Sequence, residues 1–90
     1  MSVRIRFSEQ GKRTLQALHI TTQRNIKAAL KKLAIGEMEG KALTAQLIGF
    51  CTLTIGNYRA IYKSNHEEII VHYVGHRSTV YFEAVRDNRE

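Results

Sequence analysis

The sequence predicts an α+β domain in the order β-α-α-β-β-β, an antiparallel sheet covered by an N-terminal two-helix hairpin. Three observations predict it. Apolar stripes at helical spacing, with capping residues, occupy the chain between Ser8 and Gly36. From Cys51 onward, apolar and polar residues alternate with period two around turn formers. The strands therefore follow the helices instead of interleaving with them, which separates α+β domains from parallel α/β sheets. A chain of 90 residues with no Pro, no repeat and no low-complexity stretch is expected to form one domain, 1–90.

Val3, Ile5 and Phe7 alternate with Arg4 and Arg6, a short strand with one apolar face. Ser8 offers an N-cap, and Glu9 puts negative charge in the first turn of a helix reaching about His19. Leu15 and Leu18 share one face of it, and Gly11 weakens its start. Thr21 or Thr22 can cap a second helix. In that helix Ile26, Ala29, Leu30 and Leu33 fall at i, i+3, i+4 and i+7, a buried stripe. Arg24, Lys27 and Lys31 share another face, and Gly36 can close the helix in the left-handed conformation. Residues 37–49, with Gly40 and Gly49 around a weakly apolar LTAQLI segment, read as loop, with a short strand within them as the alternative.

Cys51, Leu53 and Ile55 then point one way, and Thr52 and Thr54 the other. Gly56-Asn57 is a two-residue hairpin signal, and Tyr58 to Lys63 forms the return strand. Ser64 to Glu67 is a polar loop. Ile69 to Val74 is apolar except for His72, as expected of a central strand covered on both sides; His72 is expected to pack as a core histidine. Gly75 breaks the strand. Ser78 to Phe82 reads as extended chain or a tight turn, and Glu83 to Glu90 as a charged, frayed tail.

Charge is unevenly placed. Residues 1–36 carry eight Lys or Arg against Glu9 alone, while residues 37–90 carry six basic and seven acidic residues, within a net charge of +6. Such asymmetry points to an anionic partner, either nucleic acid or an acidic protein segment. The single Cys51 excludes an intramolecular disulfide framework, and with no apolar signal core in MSVRIRF it favours a cytoplasmic location. No apolar run approaches the ~20 residues that span a bilayer, so no membrane role is expected. Four His and one Cys show no metal-ligand spacing, and there is no Gly-rich phosphate loop or GxSxG, so no cofactor or metal is expected. Cys51 alternates onto the apolar face and reads as buried.

Three fragments then resemble the RelE/ParE superfamily of toxins from type II toxin–antitoxin systems. Ile55-Gly56-Asn57-Tyr58-Arg59-Ala60-Ile61-Tyr62 looks like that family's VGDYRVIY hairpin. Val74-Gly75-His76-Arg77 matches its VGHR strand end, and Val80-Tyr81 the VY that follows. The resemblance covers nearly the whole chain. It implies a compact RelE-like toxin neutralised by a cognate antitoxin that wraps around it. The RelE branch cuts mRNA in the ribosomal A site; the ParE branch inhibits DNA gyrase.

Metal-free RNA cleavage needs a group to take the 2′-OH proton, a cation to stabilise the phosphate, and a donor for the leaving 5′-oxygen. By resemblance, Arg59 and Arg77 map onto the phosphate-binding arginines, and Tyr81 onto a tyrosine assigned to proton transfer or base stacking. His76 has the intrinsic pKa best suited to acid–base work near neutrality. Arg59, Lys63, Arg77, Thr52, Thr54 and Lys41 are the candidate RNA contacts. The chain departs from the pattern at Thr52 and Thr54, outward positions where RelE-type enzymes usually carry basic residues. Arg59 and Arg77 also admit a structural role, pairing with Glu67, Glu68 or Glu83, and Tyr81 that of a core aromatic with its hydroxyl at the surface. The functional alternatives are a ribosome-dependent mRNA interferase, a ParE-type gyrase inhibitor, and a catalytically weakened toxin acting through antitoxin binding.

Overall fold

A computed structural model of the protein describes residues 3–88. The elements run β1 (Arg4–Phe7), α1 (Glu9–Gln16), α2 (Ile20–Ala34), β2 (Lys41–Ala42), a 3₁₀ turn at Ala45–Leu47, β3 (Cys51–Ile55), β4 (Tyr58–Ser64), β5 (Glu68–His76) and α3 (Val80–Asp87). The strands form one sheet in the order β1-β5-β4-β3-β2. The α+β class and the helical hairpin are as the sequence predicts. The sheet is mixed, however: β1 lies parallel to β5 at one edge, while β2 to β5 pair antiparallel.

Local chemistry explains most boundaries. Ser8 caps α1, its hydroxyl oxygen accepting from the Gly11 N–H at 3.0 Å. Gly11 does more than weaken the helix: a side chain there would run into the Val71 carbonyl, so only glycine lets α1 lie this close to β5. The helix ends at Gln16, short of His19. His19, and neither threonine, caps α2, because its Nδ1 accepts from the Thr21 N–H at 3.2 Å. Gly36 follows α2 with φ of 83°, the left-handed conformation expected of it. Gly56 at φ of 60° turns the β3–β4 hairpin.

Two corrections concern the end of the chain. Residues 78–82 are not extended, and the residues after 82 are not a frayed tail: Val80–Asp87 forms helix α3. Val80 and Ala84, one helical turn apart, are fully buried and hold it against the sheet. The last two residues of the expected tail lie outside the described residues.

The sheet therefore has apolar clusters on both sides. On the first face, Ile26 and Leu30 of α2 and Leu15 of α1 pack on Leu53, Val71 and Val74. On the second, Val80 and Ala84 of α3 pack with Ile61, Tyr73, Leu47 and Phe50. β5 is buried from both sides, as its apolar run predicts. Ile61 pairs with Tyr73 but Tyr62 with Val71, so His72 is an unpaired bulge residue. It is half-buried, its ring edge-on to Phe50 at 5.6 Å. Burial, with Lys63 and Arg6 nearby, pushes the His72 pKa down. Cys51 is half-buried beside the first cluster. Burial and the neighbouring Cys51 push the Tyr62 phenol up to about 12.

Candidate active site

Residues paired across neighbouring strands share a face, and neighbours along a strand alternate. Lys41 pairs with Thr52, and Thr54 with Arg59. These four side chains therefore belong to the second face, with α3 beside them. Arg59 is half-buried, and its Nη1 donates to the Gly56 carbonyl at 2.9 Å and the Tyr58 carbonyl at 2.8 Å. Arg77 is exposed at the same end of the sheet, where its N–H donates to the Asn57 carbonyl at 2.8 Å. Neither arginine has a carboxylate partner among the described residues, where the ion pairs are Arg6–Glu68 and Arg86–Asp87. Pairing with Glu67, Glu68 or Glu83 is thus not what holds them. Glu68 is engaged by Arg6, whose hydrogen bond lowers the Glu68 pKa.

Thr52 departs from its expected exposure. It is buried, and its Oγ1 lies 3.0 Å from Tyr81 Oη. The alternation is right, since Thr52 does point away from α1 and α2, but α3 covers that position. Thr54, at the next outward position, is exposed. Tyr81 is half-buried on α3, followed by Phe82, which is 72% exposed. The sequence signal that would have found α3 is the Val80–Ala84 pair behind Ser78 and Thr79, residue types that commonly precede helices.

Two candidates do not join this group. His76 pairs with Tyr58, on the opposite face from Arg59, with the two rings edge-to-face at 5.5 Å. Its Nδ1 accepts from the Ser78 N–H at 3.1 Å, a strand-end role. Lys63 shares the second face but sits four residues from Arg59, about 13 Å along the strand. Its Nζ stands over the Phe50 ring at 4.6 Å. Among the described residues no three His, Cys, Asp or Glu stand close enough to hold a metal ion. No described helix is long and apolar enough to cross a membrane.

What the second face offers is Arg59, an exposed threonine and lysine, and a phenol tethered to the sheet, with the exposed Arg77 in the turn at the same end and neither arginine paired to a carboxylate among the described residues. Its chemistry suits binding of an anion such as phosphate.

The fold carrying this surface is that of RelE-like toxins. Seventeen chains of solved structures match it. The free-state mutant of E. coli toxin RelE superposes with a TM-score of 0.75 at 21% identity, covering 97% of this chain and 98% of its own. The RelBE2 toxin–antitoxin complex of Mycobacterium tuberculosis matches at 26% identity and TM-score 0.68, covering 87% of this chain and 94% of that one. The E. coli DinJ-YafQ toxin–antitoxin complex matches at 12% identity and TM-score 0.71, over 90% and 99%. Among curated proteins no sequence matches.

The sequence model of the ParE toxin of type II toxin–antitoxin systems, parDE, matches residues 5–81. The chain belongs to that family and is a toxin of a type II toxin–antitoxin system.

Proposed function

We propose that this toxin is a ribosome-dependent mRNA interferase that cleaves RNA in the A site without a metal. The observation that supports it best is the pair of carboxylate-free arginines, Arg59 and Arg77, at the hairpin end of the sheet, with Tyr81 of α3 docked on Thr52, two residues along β3 from the Thr54 that stands opposite Arg59. In this reading the arginines hold the scissile phosphate and stabilise its growing charge. The 2′-oxygen attacks phosphorus, the bond to the 5′-oxygen breaks, and Tyr81 attends the proton transfer. Thr54 and Lys41 contact the RNA backbone, and Lys63 an adjoining segment. His76, on the other face, shapes the strand end instead of moving protons. With Thr52 buried and Thr54 uncharged, neither can serve as the base. Cleavage should then be slower than with a basic residue there, by roughly 10²–10⁴-fold. The basic residues of α1 and α2 bind ribosomal RNA, with an affinity that falls steeply with salt. A cognate antitoxin is the neutralising partner, and the site of action is cytoplasmic.

Purified toxin added to a translating extract tests this directly. Codon-phased cuts in the mRNA by primer extension are the expected result; intact mRNA under translating ribosomes would sink the reading. The match to the ParE family favours a second reading, gyrase inhibition through the same fold. A supercoiling assay separates them: on the first reading, micromolar toxin leaves gyrase active.

A further inference from the structure

Thr52 is the buried polar side chain of the second face, 7% exposed. Its Oγ1 has one hydrogen-bond partner among the described residues, Tyr81 Oη at 3.0 Å. β3 fixes Thr52 through its pairing with Lys41 on one side and Ile61 on the other. α3 fixes Tyr81 next to the fully buried Val80. A buried hydroxyl that loses water on folding must find an acceptor for its proton, and Tyr81 Oη is the acceptor within reach. Tyr81, only half-buried, keeps an outlet for its own proton toward the exposed side.

We infer that Thr52 is a positioning residue: its Oγ–H donates to Tyr81 Oη, holding the phenol in place and turning the Tyr81 O–H outward toward a bound phosphodiester. This rests on the ribonuclease reading above and deepens it, because it gives Tyr81 a direction of proton transfer. The bond from the 2′-oxygen to phosphorus forms and the 2′-OH proton passes to water. The bond to the 5′-oxygen breaks, its electron pair stays on that oxygen, and the oxygen takes the Tyr81 proton. The phenolate, still receiving the Thr52 hydrogen bond, is reprotonated by water. Thr52 thus acts through Tyr81 and does not contact RNA.

The test is single-turnover cleavage of ribosome-bound mRNA by the full-length chain, its Thr52→Val, Thr52→Ser and Tyr81→Phe variants, and the Thr52→Val/Tyr81→Phe double variant. Valine keeps the shape and removes the hydroxyl; serine keeps the hydroxyl. Loss of one such hydrogen bond predicts about tenfold slower cleavage in Thr52→Val, with ribosome affinity unchanged. Thr52→Ser should recover to within about threefold of wild type, and Thr52→Val should cost nothing further in the Tyr81→Phe background. Thermal unfolding of each variant shows whether α3 stays docked. If Thr52→Val cleaves like wild type, or Thr52→Ser is as slow as Thr52→Val, the positioning role is overturned while the ribonuclease reading stands. An equal loss in the Tyr81→Phe background also overturns it. Wild-type toxin that cuts no mRNA overturns the reading, and the proposal with it.

Discussion

The two faces of the sheet differ in what covers them. On the first, α1 and α2 lie over Leu53, Ala60, Val71 and Val74 in a mainly apolar contact, whose polar groups are spent on the β5 backbone: the Thr14 hydroxyl accepts from the Val74 N–H at 3.0 Å and the Ser8 hydroxyl donates to the Val71 carbonyl at 3.3 Å. On the second, the eight-residue α3 and the segment around Leu47 and Phe50 cover only part of the strands, and polar side chains interleave with the apolar ones. Thr54 stands opposite Arg59, Thr52 meets Tyr81, and Lys63 covers Phe50. One face spends its residues on stability. The other gives up apolar area to carry cations and hydroxyls, which folding alone does not require.

That contrast can be broken first on the covered face. Leu30 is 1% exposed, so Leu30→Ala should destabilise the fold by ~2–5 kcal/mol in denaturant unfolding. Where the fold survives, the rate of phosphodiester cleavage by the folded fraction should not change. A cleavage defect exceeding the loss of folded protein would show that the first face also shapes the site.

Lysine scanning sharpens the second face. Thr52 and Thr54 look equivalent in the sequence but are not in the fold. Thr52→Lys would force an ammonium under Tyr81 and should cost several kcal/mol of stability. Thr54→Lys adds an exposed cation opposite Arg59 and should leave stability within ~0.5 kcal/mol. It should raise cleavage by about 10²-fold, the lower end of what a positioned acid or base contributes. Equal tolerance at both positions, by thermal melts, would contradict the burial of Thr52.

The smallest effect concerns His72 at the rim of the second cluster. Its folded pKa lies below the ordinary 6.5, chiefly through burial. The unfolded chain then binds more protons at acidic pH. The stabilising contribution is complete above about 6.5 and is lost as pH falls through the folded value. Between pH 7.5 and 5, the melting temperature should drop slightly more in wild type than in His72→Gln. Parallel curves would show that His72 is not linked to folding.

Much of this fold is legible in residue spacing. The Ile26-Ala29-Leu30-Leu33 stripe, the Ser8 cap and the Gly56-Asn57 turn each predict the observed element, because each depends only on local periodicity or on one backbone conformation. What escapes the sequence depends on partners distant in the chain. α3 is short and charged, and it is held by Val80 and Ala84 burying against a sheet that its own sequence does not encode. The burial of Thr52 follows from α3 and was hidden with it. The position of His76 needs the register of β4 on β5, which sets it beside Tyr58 on the first face. Nor does composition predict that Arg59 turns to the Gly56 and Tyr58 carbonyls instead of a glutamate. Arg59 and Arg77, the candidates that the motif spacing singles out, stand at one end of the sheet because of the Gly56-Asn57 turn, which the sequence also shows.

The central claim, that the second face is a phosphate-handling surface and the first its support, is tested most directly by one measurement. It is the rate at which Arg59→Ala/Arg77→Ala toxin cuts a ribosome-bound mRNA, relative to wild type. Losing both guanidiniums should slow cleavage by at least about 10²–10³-fold. Arg77 is exposed and Arg59 bonds only to its own hairpin, so the unfolding midpoint should move little. A doubly substituted toxin that folds and cuts mRNA at the wild-type rate would contradict the account.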